Sequence, residues 1–147
     1  MPSLKYERGA IVTVLDTQLN SLADAARSVA SAAQDNTLAA QLMFWADFEL
    51  FVDLALAPTE NKVVELYLLT EIDGTNYADG SDTVQPRYTS AAGSFPMDAV
   101  ATAQRVVLRG VPLPPTKWKA LVKNSSGQAF AATLNTLKYL PYREQSV

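Results

Sequence analysis

A chain of 147 residues with twelve Lys+Arg against fifteen Asp+Glu, formally −3, is one domain by size and displaces counterions from phosphate poorly, which argues against a dedicated nucleic-acid binder. It has neither cysteine nor histidine, so disulfides, thiolate metal sites, cysteine nucleophiles, histidine general bases and nearly every zinc site are excluded. Charged residues make up 18% of it and hydrophobic ones 48%, and a surface so short of charge is expected to be covered in part by another protein.

Residues 1–10 carry Pro2, Ser3 and Gly9 among alternating charges and read as an arm with no core of its own, ahead of a single domain over residues 11–147. The N-terminus lacks an apolar signal region and no run reaches the roughly eighteen apolar residues of a membrane span, so an aqueous compartment and no membrane partner are expected. Ala10–Leu15 is β-branched and apolar, a first strand. Leu19, Leu22, Ala23 and Ala26 have helical spacing behind Asp16 or Thr17 as a cap, which predicts a short helix over 16–26. Arg27–Gln34 reads either as its continuation or as a small-residue strand, and Asp35-Asn36-Thr37 supplies turn chemistry.

The stretch that organises the chain is Gln41–Leu56, QLMFWADFELFVDLAL. Phe44, Ala46, Phe48, Leu50, Val52 and Leu54 fall on one side and Trp45, Asp47, Glu49, Phe51 and Asp53 on the other, the period of two of a strand with one buried face. Burial of that apolar face contributes on the order of 10 kcal/mol of gross hydrophobic free energy. After a turn at Ala57–Asn61, Lys62–Ile72 returns with Val64, Leu66 and Leu68 on one face, and the two strands read as an antiparallel pair. Asp73–Ala92 is an irregular, polar segment of about twenty residues, a length that marks functional, interfacial or mobile loops.

Each later strand candidate is bounded by a breaker. Gly93–Ala99 contains Pro96 and belongs at an edge or a strand start. Gln104–Val111 alternates Arg105 and Arg109 against Val106 and Leu108, with Gly110 marking a bulge before the prolines of 112–115. Thr116–Asn124 sets Lys117, Lys119 and Lys123 outward and Trp118, Ala120 and Val122 inward; Asn124–Gly127 signals a hairpin into Gln128–Thr133, and Asn135–Tyr142 closes the set before a polar tail. The pattern predicts an all-β fold, an antiparallel β-sandwich or jelly roll of about seven or eight strands with at most one short helix.

No stretch states a reaction. Asp73, Thr75, Asn76, Asp79 and Asp82 could offer oxygens to calcium, but Ala78 stands where an EF-hand loop requires glycine, and a solvated pair of Asp-Gly turns is the preferred account of them. Asp47, Glu49 and Asp53 offer carboxylates for glycoside hydrolysis, yet alternating acids on a half-solvated strand need no catalytic reason. Lys117, Lys119 and Lys123 form a basic stripe, continued by Arg105 and Arg109 if their strand is its neighbour, which suits an acidic partner or simply a wet sheet face. Trp45, Phe51, Tyr67, Tyr77, Tyr88, Tyr139 and Tyr142 include aromatics off the core face, suited to sugar stacking, to a protein interface or to burial on a strand's second face. No catalytic, cofactor-binding or metal-ligating residue is assigned.

Taken together, VELYLLTEIDGTNYADGS (Val64–Ser81), AQRVVLRGVPLPPTKWKALVKNSSGQA (Ala103–Ala129) and NTLKYLPYREQ (Asn135–Gln145) resemble a family of small proteins encoded in tailed bacteriophages and prophages, over a span from about Leu19 to the C-terminus. The resemblance implies a virion structural role, head decoration or cement: a β-sandwich subunit without enzyme activity or cofactor. Such a subunit, assembled in the host cytoplasm, would bind the phage major capsid protein and copies of itself, as in a trimer. On that expectation the arm and the 73–92 loop make the contacts, through Leu4, Tyr6, Arg8, Tyr77, Arg87 and Tyr88. The alternative is a carbohydrate-binding module of a tail or baseplate that uses the exposed aromatics and the acidic loop.

Overall fold

The computed structural model describes residues 3–38 and 42–146. Met1, Pro2, residues 39–41 and Val147 lie outside the described residues, and with them the start of the expected arm, the end of the expected tail and Gln41 of the expected strand Gln41–Leu56. The strands are β1 (Leu4–Arg8), β2 (Val12–Leu15), β3 (Gln34–Asp35), β4 (Trp45–Val52), β5 (Val63–Thr70), β6 (Ala91–Pro96), β7 (Gln104–Pro112), β8 (Lys117–Ser125) and β9 (Thr136–Ser146). They form two antiparallel sheets: a five-stranded one ordered β1-β9-β4-β7, with β2 also on β9, and a four-stranded one ordered β3-β8-β5-β6. This is the expected β-sandwich of jelly-roll type.

The core lies where the alternation placed it. Ala46, Phe48, Leu50, Val52 and Leu54 of β4 and its exit are buried, facing Val64, Leu66 and Leu68 of β5 and Trp118, Ala120 and Val122 of β8 across the gap between sheets. Trp118 lies edge-on to Phe48 and Tyr139, which stack on each other with ring centroids 5.6 Å apart, so the aromatic knot joins the two sheets. Phe44, expected on the buried face, is 48% exposed because it precedes β4.

Several pairings differ from the expectation. β4 and β5 are not partners: β4 pairs with β7 and β9, β5 with β6 and β8. β4 ends at Val52 and β5 begins at Val63, and the segment between them crosses from one sheet to the other instead of turning back. β8 and β9 likewise lie in different sheets, and Gln128–Thr133 forms no strand but an isolated bridge from Phe130 to Leu54, with backbone hydrogen bonds to Ser21, Leu22 and Asp53. The expected helix over 16–26 is a single 3-10 turn at Thr17–Leu19, because Leu19 and Leu22 are drawn into the core. Arg27–Gln34 follows β8 as an irregular edge: the buried Ser28 and Ser31 hydroxyls accept the Val122 and Ala120 N–H groups, standing in for ladder carbonyls. Leu4–Arg8, expected within the arm, is strand β1 on the C-terminal half of β9, and that pairing also turns the expected polar tail into strand. The Gly110 bulge is present, with a left-handed φ of +65° and a register shift opposite Asp47.

Candidate functional site

The two sheets treat their outer faces differently. On the four-stranded sheet, Tyr67, Leu69 and Leu121 point away from the core and are nonetheless buried. The chain covers them itself. A side chain at Gly80 would lie 2.8 Å from Leu69, Ala30 packs on the same cluster, and Arg27 holds the loop by donating to the Ser81 carbonyl and the Gln85 amide oxygen. Lys119 sits over the Tyr77 ring at 4.3 Å and Lys123 pairs with Glu65 at 3.5 Å. Burial first, and then the Glu65 carboxylate, raises the Tyr67 hydroxyl above its ordinary range.

The five-stranded sheet carries no such cover among the described residues. Its outer face is built in rows by the register of β4 with its neighbours: Arg105–Phe51–Thr136, Val107–Glu49–Lys138, and, past the bulge, Asp47 beside Leu140 and Trp45 beside Tyr142. Arg8 of β1 extends the last row, and Tyr6, opposite Glu144, lies edge-on to Tyr142 at 6.1 Å. Two shallow depressions, about 280 and 320 Å³, share Asp47, Arg109 and Leu140 and run together across the strands. Two of the cations on this face are paired with its acids. Arg105 pairs with Glu49 and lies over the Phe51 ring at 4.8 Å; Arg109 pairs with Asp47 at 3.5 Å, and the Gly110 N–H donates to the same carboxylate at 2.9 Å. Desolvation, followed by the negative charge of Asp47, pushes the Tyr142 hydroxyl above its usual range.

Tyr6 and Arg8, two of the residues expected to bind a partner, therefore line this face, and Leu4 lies on the same strand, 76% exposed. Tyr77, Arg87 and Tyr88 belong to the loop over the other sheet. Tyr77 lies beneath Lys119, Arg87 pairs with Asp79, and Tyr88 is 93% exposed. Sequence reasoning named Trp45, Phe51, Tyr142, Asp47 and Arg109 separately; it missed that β4, β7 and β9 assemble them into one surface. The basic stripe does not extend as expected, because Arg105 and Arg109 are on β7 and the three lysines on β8, in opposite sheets. In the acidic loop, Asp73 accepts from the N–H groups of Thr75 and Asn76 and from the Asn76 amide. Those bonds, the Asn76 N–H foremost, hold its carboxyl at about 2. Among the described residues, no three acidic side chains gather as a metal cage would require. No helix among them is long and apolar enough to cross a membrane.

No protein-family model and no curated protein matches the chain. Among solved structures it is similar to the CBM36-1 domain of a multidomain xylanase from the hindgut metagenome of Trinervitermes trinervoides, at 12% identity and a TM-score of 0.46 over all of both chains. It is similar also to a carbohydrate-binding module CBM36 in complex with calcium and xylotriose, at 11% identity and a TM-score of 0.43 over 98% of this chain and 93% of that one. A chain from infectious bursal disease virus, Gx strain, matches at 12% identity and 0.43 over 96% of this chain and 32% of its own length. Matches this distant are silent on ligands and partners.

Proposed function

We propose that the chain is a structural subunit of a tailed-phage particle, without catalytic activity, that decorates the head by binding the major capsid protein and further copies of itself. The observation that supports it most is the asymmetry of the sandwich: one outer face is sealed by the chain's own segments, the other displays aromatic, aliphatic and arginine side chains, with Arg105 and Arg109 paired to Glu49 and Asp47. A face of this kind is dehydrated at modest cost, since its arginines and acids keep each other as partners, and aromatic and arginine side chains are the types enriched where proteins meet. Repetition over a symmetric lattice would multiply a modest contact into stable attachment. The resemblance of Val64–Ser81, Ala103–Ala129 and Asn135–Gln145 to phage structural proteins points the same way and supports a virion protein assembled in the host cytoplasm. The carboxylates of this face are held by arginines, which speaks for contact and against acid–base chemistry at Asp47 and Glu49.

A second reading, a carbohydrate-binding module of a tail or baseplate, draws on one feature of the same face. Tyr6 and Tyr142 line a depression that holds hydrogen-bonding groups of Asp47 and Arg109, and Trp45 is the ladder neighbour of Tyr142. Re-decoration separates the two. Purified chain is added to heads lacking it, and Tyr142→Ala is expected to lower head occupancy about tenfold, with no binding to a panel of oligosaccharides by either protein. Oligosaccharide binding that Tyr142→Ala abolishes, with head occupancy unchanged, would replace decoration by the second reading.

A further inference from the structure

The free edge of β1 is a backbone template with a sequence that complements itself. The Gly9 N–H donates to the Pro141 carbonyl at 2.8 Å, one step beyond the last β1–β9 partners, Arg8 and Tyr142. Antiparallel ladders alternate, so Glu7 and Lys5 also turn their backbone groups toward β9, while Leu4, Tyr6 and Arg8 turn theirs outward. No described strand pairs with that outward edge. Leu4 and Tyr6 are 76% and 63% exposed, an unusual content for an edge strand left in water.

We propose that β1 is a homodimer interface, in which two copies join edge to edge about a twofold axis at Tyr6 and merge their five-stranded sheets into one. A twofold perpendicular to the strands makes the pairing antiparallel. Reading Leu4-Lys5-Tyr6-Glu7-Arg8 against itself, Tyr6 meets the partner's Tyr6, Leu4 meets the partner's Arg8, and Lys5 meets the partner's Glu7. The charges select this register. Centring the axis on Lys5 sets the two lysines against each other, and centring it on Glu7 sets the two glutamates together; each arrangement is repulsive. Lys5 makes no ion pair within the described residues, and Glu7, already held by Arg143, has room for a second cation because its side chain is 42% exposed. The lysine that deters indiscriminate edge pairing thus admits one register. On the outer face the tyrosine pair sits beside the depression lined by Tyr6 and Arg8, so the dimer doubles that surface across the axis.

The test uses the full chain, which has no cysteine of its own. Under mild oxidation Tyr6→Cys is expected to cross-link as a dimer, whereas Leu4→Cys, about 14 Å from its own symmetry mate in this register, is not. In sedimentation equilibrium Lys5→Glu and Glu7→Lys are each expected to weaken self-association on the order of tenfold. An equimolar mixture of the two should recover it, because each glutamate then faces a lysine. Circular dichroism of every variant checks that the sandwich is intact. A wild-type chain that remains monomeric at millimolar concentration, equal cross-linking at positions 4 and 6, or a mixture no stronger than its components would each overturn the proposal. The measurement is made on the purified chain, so it stands or falls separately from the role in the particle.

Discussion

Trp118→Ala is expected to destabilise the fold by about 3–5 kcal/mol, read as a lower denaturation midpoint with an unchanged slope. The indole is 1% exposed, and it comes from the four-stranded sheet while its partners Phe48 and Tyr139 come from the five-stranded one. Truncation therefore opens a cavity at the joint between sheets, where neither can close it without shifting the whole layer. The same change removes two edge-to-face ring contacts, each worth roughly 0.5–1.5 kcal/mol beyond its area. Against a total of roughly 5–15 kcal/mol for a domain, the variant keeps little margin. Trp118→Phe, which retains most of the ring volume, is expected to lose less than half as much. A loss under about 1 kcal/mol for the alanine variant would mean that this knot does not hold the sheets together.

The second large effect is Asn124→Asp, with a pH dependence of defined sign. Asn124 is completely buried at the end of β8. Its amide donates to the carbonyls of Leu22, Ala23 and Gln128, and its own carbonyl accepts from the Ser126 N–H and hydroxyl. A carboxylate in that place would point one oxygen at three carbonyls, with no donor to meet it. Burial and those dipoles raise its folded pKa above the roughly 3.9 of the unfolded chain. Between those two values the native state holds a proton that the unfolded state has released, so stability falls as pH rises through the window. At pH 8 the variant is expected to be on the order of 3–5 kcal/mol less stable than the parent, with the deficit shrinking toward pH 4. Thermal melts at the two pH values measure it; a deficit that does not change with pH would show that the residue is hydrated or the carboxylate otherwise satisfied.

The alternation of Ala46 to Val52 and of Lys117 to Lys123 was legible because a period of two specifies which face is buried, whatever lies beside the strand. It does not specify the neighbour. β4 and β5 looked like a hairpin because both end in turn residues, yet their inward faces oppose each other across the core. The candidate site depends on that missing information. Trp45 meets Tyr142, and Asp47 meets Leu140 and the Gly110 bulge, only through register set between distant parts of the chain. Gly110 announced the bulge, but not that its N–H would take an aspartate from β4. Ser28 and Ser31 escaped recognition for a different reason: hydroxyls that replace ladder carbonyls leave no hydrophobic period to read. Leu19 and Leu22 had the spacing of a helix, and burial in the core overrode it.

The most direct test of a decoration role is quantitative mass spectrometry of purified particles after heads and tails are separated. The decoration reading predicts hundreds of copies travelling with the heads, in a fixed ratio to the major capsid protein. A handful of copies travelling with the tails, or none in either fraction, would contradict it.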